Sequence, residues 1–582
     1  MTKDVYLMYL CEFKKPNGRI YLSICKQYRD PVTKKRTTKT IEPIGYVDEL
    51  KKEFPDPIAH FTKVAKAMTE EETAVSKITL DLNHKLHVDS NLKKNYGYIL
   101  LSKFYHLLNI DLFYQSRQRK YDVKYNLNSI FKLLVYERIL DPGSKLKAYK
   151  NKDKYFEPAS FSLMDVYRSL SKFVKHKEEL QKWIHGKIQK KYDRKTDLVY
   201  YDVTNYYFEI DKESDKKKNG YSKENKKSPI IQMGLFTDIQ GIPINYQLFE
   251  GNTHDTLTLR DMISNVKVKN DYDLGRIIVV ADKGIHSGDN IYYLKSAKHG
   301  YIFSSSVRKG SKDFKDYVLN QRGYKKLTSN KNSTDLFKYK SRLTPRTINV
   351  TGTNGKILKK TVDEKQVIFY SEKYAKRTKA KREEQIKKAY KIIGNPSEYD
   401  KASTSGARKY IKDIKFDKNT GEILQSESIL KFDTEKIAEE EKYDGYYAIF
   451  TSEMDMPDET IISTYKGLWK IEETFKITKS DLKTRPVFVS RSDHIESHFL
   501  TCFVALLILR LIQFEIGNEI SIEEILYSIK ECTCTNFTQN LYVFNFYNSV
   551  LEKLGKKFNI EFNNKYLTKQ QIIKKISKTK KR

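Results

Sequence analysis

The sequence predicts an α/β protein whose central sheet mixes antiparallel and parallel strands. From Asp197 onward the pattern becomes strand-like: LVYYDVTNYYFEI is a buried strand, and IIQMGLFTD with IPINYQLFEG forms a hairpin. The buried strand RIIVVADKG and a further one then alternate with helical segments. The resulting order, β-β-β-α-β-α-β, is ribonuclease-H-like, because an antiparallel meander is followed by helix-linked strands that run parallel.

The chain is long enough for several domains, since its 582 residues exceed the ~250–300 at which single cores stop growing. With 39% hydrophobic residues it can bury substantial cores, which excludes a disordered chain. We predict six regions: a β-rich N-terminal module (1–90), a helical region that binds DNA (91–194), the first part of the ribonuclease-H-like core (195–306), an α+β insertion (307–458), the second part of the core (459–516) and a helical basic C-terminal region (517–582).

The net charge indicates a polyanionic partner. The chain carries 108 Lys and Arg against 74 Asp and Glu, a formal charge of +34. An excess of this size makes nucleic acid the first candidate. The alternative is that an AT-rich gene has inflated the lysine content without any DNA contact. The basic tail Lys565–Arg582 is expected to be frayed or associated with DNA.

Cysteine content and hydropathy indicate a cytoplasmic protein that does not enter a membrane. The five cysteines are odd in number and form no CxxC pair, which fits a reducing cytoplasm. The most apolar run, Phe499–Leu509, is eleven residues long, whereas a bilayer span needs ~20. We therefore expect a buried helix there.

Two aspartates lie near the ends of predicted strands. Asp202 is on the first strand of the core and Asp282 is at the end of the fourth, and these two strands are neighbours in a ribonuclease-H-like sheet. A lone Asp at a strand end is usually a cap or a turn residue. Two on neighbouring strands could share divalent metal ions, and Mg²⁺ suits carboxylates together with substrate phosphates.

A helical stretch, Tyr465–Lys479, carries the third acidic candidate. Tyr465, Glu472 and Lys479 are spaced by seven residues and so lie near one face of a helix. The carboxylate could hold a metal and the lysine could meet a phosphate. The alternative is an ordinary amphipathic helix with solvated charges. For Trp469 a core role is favoured over stacking on a base.

A second candidate for metal binding lies near the end of the core. His494 and His498 are four residues apart, which is a spacing that two metal ligands on one helix can have. A capping or core pair is the favoured interpretation.

With Asp202, Asp282 and Glu472, the chain resembles the DDE transposases of bacterial insertion sequences. It is most similar to the insertion-sequence-4 superfamily, in its insertion-sequence-1634-like group. That superfamily has the signature Y-x2-R-x3-E-x6-K, matched here at Tyr465, Glu472 and Lys479, whereas Leu468 stands at the Arg position. Further stretches share the resemblance over most of the chain, among them YYDVTNYYFE, FEGNTHDTLTL, VADKGIHSGDN and KYDGYYAIFTS.

The resemblance implies a mechanism. Asp202, Asp282 and Glu472 would hold two Mg²⁺ or Mn²⁺ ions, water would cut a phosphodiester at the transposon end, and the resulting 3′-OH would attack target DNA. The resemblance also implies a homodimer or larger synaptic assembly on double-stranded DNA, in the cytoplasm and associated with the nucleoid. The residues expected to contact DNA are Tyr465, Lys479, Lys476 and Trp469.

Two other functions stay open from the sequence. One is a ribonuclease-H-like nuclease that cuts but does not join. The other is a catalytically inactive or domesticated protein that binds DNA, against which the intact set of three carboxylates argues. Terminal inverted repeats flanking the gene would favour the transposase over both.

Overall fold

The computed structural model describes residues 7–29, 36–74, 85, 88, 92–209, 212–220, 228–269, 272, 274–326, 336–394, 406–415, 428–538 and 540–581. Two compact units are distinguished by their internal contacts, Met1–Asn91 and Leu92–Arg582.

The first unit is a three-stranded antiparallel sheet with helices after it, as predicted. Gly18, at φ +79°, makes the tight turn between the first two strands possible, since glycine adopts this left-handed conformation without steric cost. Its elements are β1 (Met8–Lys14), β2 (Ile20–Arg29), β3 (Arg36–Tyr46), α1 (Val47–Leu50) and α2 (Pro57–Ala74).

The second unit begins with a short strand and six helices. They are β4 (Lys93–Asn95), α3 (Tyr98–Leu107), α4 (Ile110–Gln118), α5 (Leu127–Leu140), α6 (Lys145–Lys150), α7 (Leu163–Lys175) and α8 (Lys177–Tyr192), with a 3₁₀ turn at Lys152–Lys154. The apolar spacing over Asp165–Tyr192 predicts one helix, but the structure divides it at His176, which leaves the helical conformation. Almost every residue of α3 and α5 is buried, so these two helices belong to the core and do not offer an exposed surface that could contact DNA bases.

The central sheet begins at β5. The elements of this region are β5 (Leu198–Tyr207), β6 (Ile230–Thr237), β7 (Pro243–Glu250), α9 (Asp255–Ser264), a π turn (Asn265–Lys269), β8 (Ile278–Ala281), α10 (Gly288–Ser296) and β9 (Gly300–Ser305). β5, β6 and β7 form an antiparallel meander, whereas β8 runs parallel to both β5 and β9. The first and fourth strands are therefore neighbours, as the sequence predicts.

The next region adds strands to the same sheet. Its elements are a 3₁₀ turn (Val307–Lys309), α11 (Lys312–Leu319), β10 (Lys325–Lys326), β11 (Phe337–Thr351), β12 (Ile357–Ser371), α12 (Glu372–Gly394), a 3₁₀ turn (Gly406–Tyr410), β13 (Ile411–Lys415), β14 (Ser428–Phe432), α13 (Thr434–Glu441) and β15 (Tyr446–Thr451). Within the described chain, β13 pairs only with β14. The other four strands of this region join the central sheet, which then has nine strands in the order β10-β11-β12-β15-β9-β8-β5-β6-β7.

The sequence of this region predicts four short strands, FKYKSR, RTINV, ILKKTV and KQVIFY, whereas the structure has the hairpin of β11 and β12. Each strand runs for 15 residues without a break. Pro345 does not end β11, because the strand pairs with β12 at this point while β10 reaches only Lys338 and Tyr339. A proline without an N–H is tolerated where one side of a strand needs no donor.

The remaining elements complete the core and build a small C-terminal sheet. They are α14 (Asp458–Lys466), α15 (Trp469–Lys476), a π turn (Ile477–Asp481), α16 (Ser492–Glu515), α17 (Ile522–Glu531), β16 (Thr533–Thr538), β17 (Leu541–Phe544), α18 (Ser549–Phe558), β18 (Tyr566–Thr568) and α19 (Lys569–Thr579). The small sheet has the order β18-β17-β16-β4.

Two expectations for this end of the chain are wrong. The tail is not frayed, because Thr568 and Gln571 form a capping box at the start of α19, and Ile572 and Ile576 are buried; its association with DNA, the other alternative, stays a prediction. The segment 487–489, which has a strand-like sequence, forms no strand.

α16 is the most apolar element. Among the described helices it is the one long and apolar enough to cross a membrane, but its most apolar stretch is entirely buried inside the protein. It packs against α3, α5 and α7 and against β7. This is the packing of a core helix, as predicted.

Candidate active site

Asp202 and Asp282 lie side by side where the parallel pairing of β5 with β8 ends: Asp282 directly follows β8, whereas Asp202 is in the middle of β5. In the pairing of β5 with β8, Tyr201 lies opposite Ala281. The next residue on each strand is therefore one of the two aspartates. The sequence predicts that the two residues are neighbours, but its expectation that Asp202 lies near the end of its strand is wrong, because β5 continues for five more residues to Tyr207.

Both aspartates face the helical segment that carries Glu472. On β5, the Tyr200 hydroxyl donates to Thr464 O (3.0 Å), and Tyr206 Oη and Thr478 Oγ1 are hydrogen-bonded (2.8 Å). Asp202 lies between the two tyrosines in the alternation of the strand and so shares their side of the sheet. Val280, two residues before Asp282, belongs to the same core layer as these tyrosines, which places Asp282 on that side too.

The carboxylate of Asp282 is held by three donors to one oxygen. Ser304 Oγ (2.7 Å), the Lys283 backbone N–H (2.7 Å) and the Tyr465 hydroxyl (3.3 Å) all donate to Oδ1. Ser304 is buried at the end of β9, beside Asp282 in the parallel register. These bonds fix the rotamer of the carboxylate, and no bond to Oδ2 is found among the described residues.

The carboxylate of Asp202 is also bonded to the backbone. Its Oδ1 accepts from the backbone N–H of Val203 (2.7 Å), and its side chain is half-buried. Glu472 is exposed in the first turn of α15.

The segment Tyr465–Lys479 is not the single helix that its spacing predicts. It comprises the end of α14, a break at Gly467 and Leu468, then α15 and the π turn. A Cβ added at Gly467 would lie 2.0 Å from the Tyr200 hydroxyl. The chain thus passes so close to β5 that only glycine fits, and this contact places α15 over Asp202.

Tyr447 on β15 lies within electrostatic reach of two of the carboxylates. Burial raises its pKa above the ordinary range, and Tyr374, Asp282 and Glu472 add to the increase. Burial likewise raises the pKa of Tyr465, with the charge of Asp282 as the next cause. Asp282 and Glu472 therefore approach one region from the sheet and from the helix.

No metal cluster is formed in this arrangement. Across the described part of the chain, no group of three or more His, Cys, Asp or Glu side chains is close enough to hold a metal ion. The donors that face the region are carboxylate oxygens, the ligand type that Mg²⁺ prefers.

The histidine pair of α16 is no metal site. His498 Nε2 is hydrogen-bonded to Thr484 O (3.0 Å), and burial lowers the pKa of His498 well below its usual range. His494 lies beside the ring of Tyr167 (6.2 Å between centroids). The favoured interpretation, a capping or core pair, is confirmed for His498 as a core residue, whereas His494 is only half-buried.

The residues predicted to contact DNA have different environments. Trp469 is 56% exposed, so its expected core role is wrong. Lys476 is exposed at the end of α15, whereas the Nζ of Lys479 lies 5.7 Å from the ring centroid of Tyr206. Leu468 is 7% exposed within the apolar core, so the position that carries Arg in the family signature faces inward here.

Comparison with known proteins identifies the family. Residues 171–508 match the transposase DDE domain, which is more than half of the chain, and residues 12–77 match the N-terminal domain of IS1634 family transposases. The chain belongs to the DDE transposase family and is IS1634-like. Membership in this family implies DNA-cleaving transposase activity, and DDE transposase domains generally use divalent metal ions.

Neither the curated proteins nor the solved structures narrow the assignment of this transposase further. No curated protein matches it. Among solved structures, a piggyBac transposase synaptic complex with hairpin DNA aligns over 83% of this chain and 84% of that one. The identity is 7% and the TM-score is 0.33, a likeness too distant to carry an argument.

Two neighbours of the carboxylates in this transposase were missed from the sequence. Ser304 could have been found, because it ends the next parallel strand after Asp282 and so lies in register with it. Tyr447 is within the resembling stretch KYDGYYAIFTS, but only the pairing of β15 with β9 shows that this strand adjoins the site.

Proposed function

We propose that this protein binds the terminal inverted repeats of an insertion sequence and catalyses metal-dependent cleavage of the ends and their transfer to target DNA. The observation that carries the proposal is the in-register pair of Asp202 and Asp282 beneath the helix of Glu472. The sheet portion β9-β8-β5-β6-β7 is then a ribonuclease-H-like core, with the antiparallel meander on one side and the parallel strands on the other.

The side chains fit a divalent metal by their chemistry. Asp202, Asp282 and Glu472 offer hard oxygen donors on one side of the sheet, and we propose that they hold two Mg²⁺ or Mn²⁺ ions. When bound, such ions polarise the scissile phosphodiester and activate the attacking oxygen.

The protein's own residues position these groups. Ser304 and the Lys283 N–H hold the Asp282 carboxylate in one rotamer, and the strand pairing holds Asp202 beside it. Glu472 is presented by α15, whose place over β5 is set by the contact of Gly467 with Tyr200. These contacts hold the two aspartates in place, while Glu472 has still to come closer before three carboxylates can share a metal ion.

Contacts to DNA are proposed for the exposed side of the same segment. Lys476 and Lys479 would bind backbone phosphates, and the exposed face of Trp469 would stack on a base. Tyr465 would contact a phosphate only after its hydroxyl exchanges its bond to Asp282 for one to DNA. The net charge of +34 supports a polyanionic partner.

Assembly and location follow from the same proposal. Joining two ends requires that both be held together, so we propose a homodimer or a larger synaptic complex. It would act on double-stranded DNA in the cytoplasm, associated with the nucleoid.

A labelled duplex carrying the element's own ends tests the proposal. We expect Mg²⁺-dependent nicking at the end by the wild type, loss of nicking in Glu472→Gln with binding retained, and full activity in the control Glu523→Gln, an exposed glutamate of α17. Equal cleavage by the wild type and Glu472→Gln would remove Glu472 from the site.

The same experiment distinguishes the transposase from the two alternative functions. Nicking without joining to a supplied target duplex would favour a nuclease. Tight binding of the ends with no cleavage by any variant would favour an inactive or domesticated DNA-binding protein.

A further inference from the structure

Asp282 is linked to Ser304 of β9 both through its side chain and through the loop that follows it. Ser304 Oγ donates to Asp282 Oδ1 (2.7 Å). His286, four residues after Asp282, is hydrogen-bonded through Nδ1 to the backbone O of Ser304 (2.9 Å). A carbonyl oxygen can only accept, so Nδ1 carries the proton of this bond, and Nε2 of a neutral ring is then an acceptor.

Arg346, in the hairpin of β11 and β12, supplies the donor for that acceptor. Its NH2 lies 3.2 Å from His286 Nε2. The same hairpin contacts the segment after Asp282 a second time, because the N–H and Oγ1 of Thr351 donate to the carboxylate of Asp289 (2.6 and 2.9 Å). The hairpin is therefore bonded to the loop between β8 and α10 and to the first turn of α10.

Glu364 fixes the position of Arg346. Its side chain is 0% exposed, and its Oε1 accepts from Arg346 Nε (2.6 Å) and from Gln366 Nε2 (3.1 Å). The Tyr301 hydroxyl donates to Oε2 (3.2 Å). A buried carboxylate is stable only when it is paired and hydrogen-bonded, so this arrangement holds the guanidinium in one place.

His286 acts from the side of the sheet that faces away from Glu472. Its ring centroid lies 6.1 Å from that of Phe303. Phe303 precedes Ser304 in β9, so its side chain points to the opposite side from the Ser304 hydroxyl and the Asp282 carboxylate. The ring of His286 thus reaches the carboxylate only by way of Ser304.

We propose that His286 and Arg346 are positioning residues for Asp282, an inference that rests on the proposed function. The hairpin of β11 and β12 holds His286 through Arg346, and His286 holds the backbone of Ser304. Ser304 in turn directs the Asp282 carboxylate towards the proposed metal ions. Groups that orient a metal ligand in this way raise its affinity for the ion, so their loss should weaken metal binding.

Mn²⁺ binding to the complex of the protein with the element's ends tests this inference. The loss of the electron paramagnetic resonance signal of free Mn²⁺ measures binding, with the DNA alone as the blank. The variant Arg346→Met with Glu364→Gln removes both charges at once, so no buried charge is left unpaired. We expect several-fold weaker Mn²⁺ binding and a higher Mg²⁺ concentration for half-maximal cleavage, with end binding retained.

The matched control removes another ion pair of the same hairpin. Arg342 lies four residues before Arg346 and pairs with Asp313 (2.8 Å). Arg342→Met with Asp313→Asn should leave Mn²⁺ binding unchanged, although it also costs the hairpin an ion pair.

Two further comparisons test whether the effect passes through Ser304. His286→Asn places an amide N–H near the position of Nδ1 and should bind Mn²⁺ more tightly than His286→Leu, which has no donor. Adding Ser304→Ala to Arg346→Met with Glu364→Gln should cause little further loss, because residues that act through one contact are not additive.

Three results would overturn the inference. One is unchanged Mn²⁺ binding in a folded Arg346→Met, Glu364→Gln variant, which would leave the proposed function intact if the wild type binds and cuts the ends. Another is a loss that adds fully to that of Ser304→Ala. If the paired variant does not fold, equal Mn²⁺ binding by His286→Asn and His286→Leu is the deciding contrary result. Failure of the wild type to bind or cut the ends would overturn the proposed function, and this inference with it.

Discussion

Ser304 Oγ donates a 2.7 Å hydrogen bond to Asp282 Oδ1 from the adjacent parallel strand. The serine is buried, and its hydroxyl contacts the carboxylate directly. Its hydroxyl restricts the rotation of Asp282, so Ser304 is a positioning residue for the proposed metal site. Groups that orient metal ligands in this way are costly to remove.

Ser304→Ala should lower the rate of end cleavage by about 10- to 100-fold while end binding is retained. Because the defect lies in holding Asp282, we expect a higher Mg²⁺ concentration for half-maximal rate and partial rescue by Ser304→Thr, which keeps the hydroxyl. Titrating Mg²⁺ in the cleavage assay measures both effects. Ser305→Ala, one residue along and on the other side of β9, is the matched control, and equal Mg²⁺ requirements in the two variants would contradict the assigned role.

Gly467→Ala should destabilise the protein and reduce cleavage. The added methyl would lie 2.0 Å from the Tyr200 hydroxyl, so either β5 or the start of α15 must move. Overpacking of this kind costs about 1–3 kcal/mol in the free energy of unfolding, measurable by denaturant titration. The double variant Gly467→Ala with Tyr200→Phe, which removes the nearest atom, should recover part of the loss.

Gly186→Ala is the control for this prediction. Gly186 lies inside α8 with open space around an added Cβ, so the substitution should cause no loss of stability. Equal stability of Gly467→Ala and the wild type would show that the close approach to Tyr200 does not hold in solution.

Lys476→Ala should weaken binding of the ends uniformly across sequences. A lysine that neutralises a phosphate releases a counterion, so its loss should reduce the slope of log affinity against log salt by about one. Gel-shift titrations at several salt concentrations measure this slope. Lys557→Ala, at an exposed lysine of α18, should leave it unchanged; an unchanged slope in Lys476→Ala would place that lysine away from the DNA backbone.

His286 should make stability depend on pH below neutrality. Burial, and then the charge of Arg346, lower its pKa from 6.5 to about 4. Its Nδ1 is bonded to Ser304 O (2.9 Å), and its Nε2 faces Arg346 NH2 (3.2 Å), which is itself paired with Glu364. A neutral ring that donates from Nδ1 and accepts at Nε2 satisfies both contacts.

The lowered pKa of His286 determines the direction in which stability changes with pH. Between pH 6.5 and about 4 the unfolded chain binds more protons at His286 than the folded one, so stability is present above pH 6.5 and is lost as pH falls towards 4. Denaturant titrations from pH 7 to pH 4 should show a smaller loss for His286→Gln than for the wild type. Comparing the two removes the contribution of other buried histidines, and parallel curves would contradict the assignment.

The sequence by itself determined the order of the core strands and the pairing of Asp202 with Asp282. Buried strands and amphipathic helices are marked by local periodicity, and the handedness of strand–helix–strand connections leaves few ways to arrange them. The hairpin at Gly18 and the capping box of Ser521 with Glu524 were predictable for the same reason, since each depends on residues close in the chain.

Only the tertiary structure decided how Glu472 reaches the sheet. The break lies at Gly467, where the backbone passes so close to Tyr200, far away in sequence, that an added Cβ would lie 2.0 Å from its hydroxyl. Trp469 is exposed and Leu468 buried because of the direction in which α15 leaves that break. Heptad spacing describes one helix in isolation and contains no information about the strand against which it packs.

Packing between residues far apart in the chain also explains the other differences between the sequence predictions and the structure. Tyr447 lies near Asp282 and Glu472 because β9 and β15 adjoin in the sheet, a pairing of residues more than a hundred positions apart. The basic tail is ordered as α19 because its apolar side is buried, although its composition alone favours fraying. Long-range packing outweighs local preference wherever burial of an apolar face contributes more free energy than the intrinsic tendency of the segment.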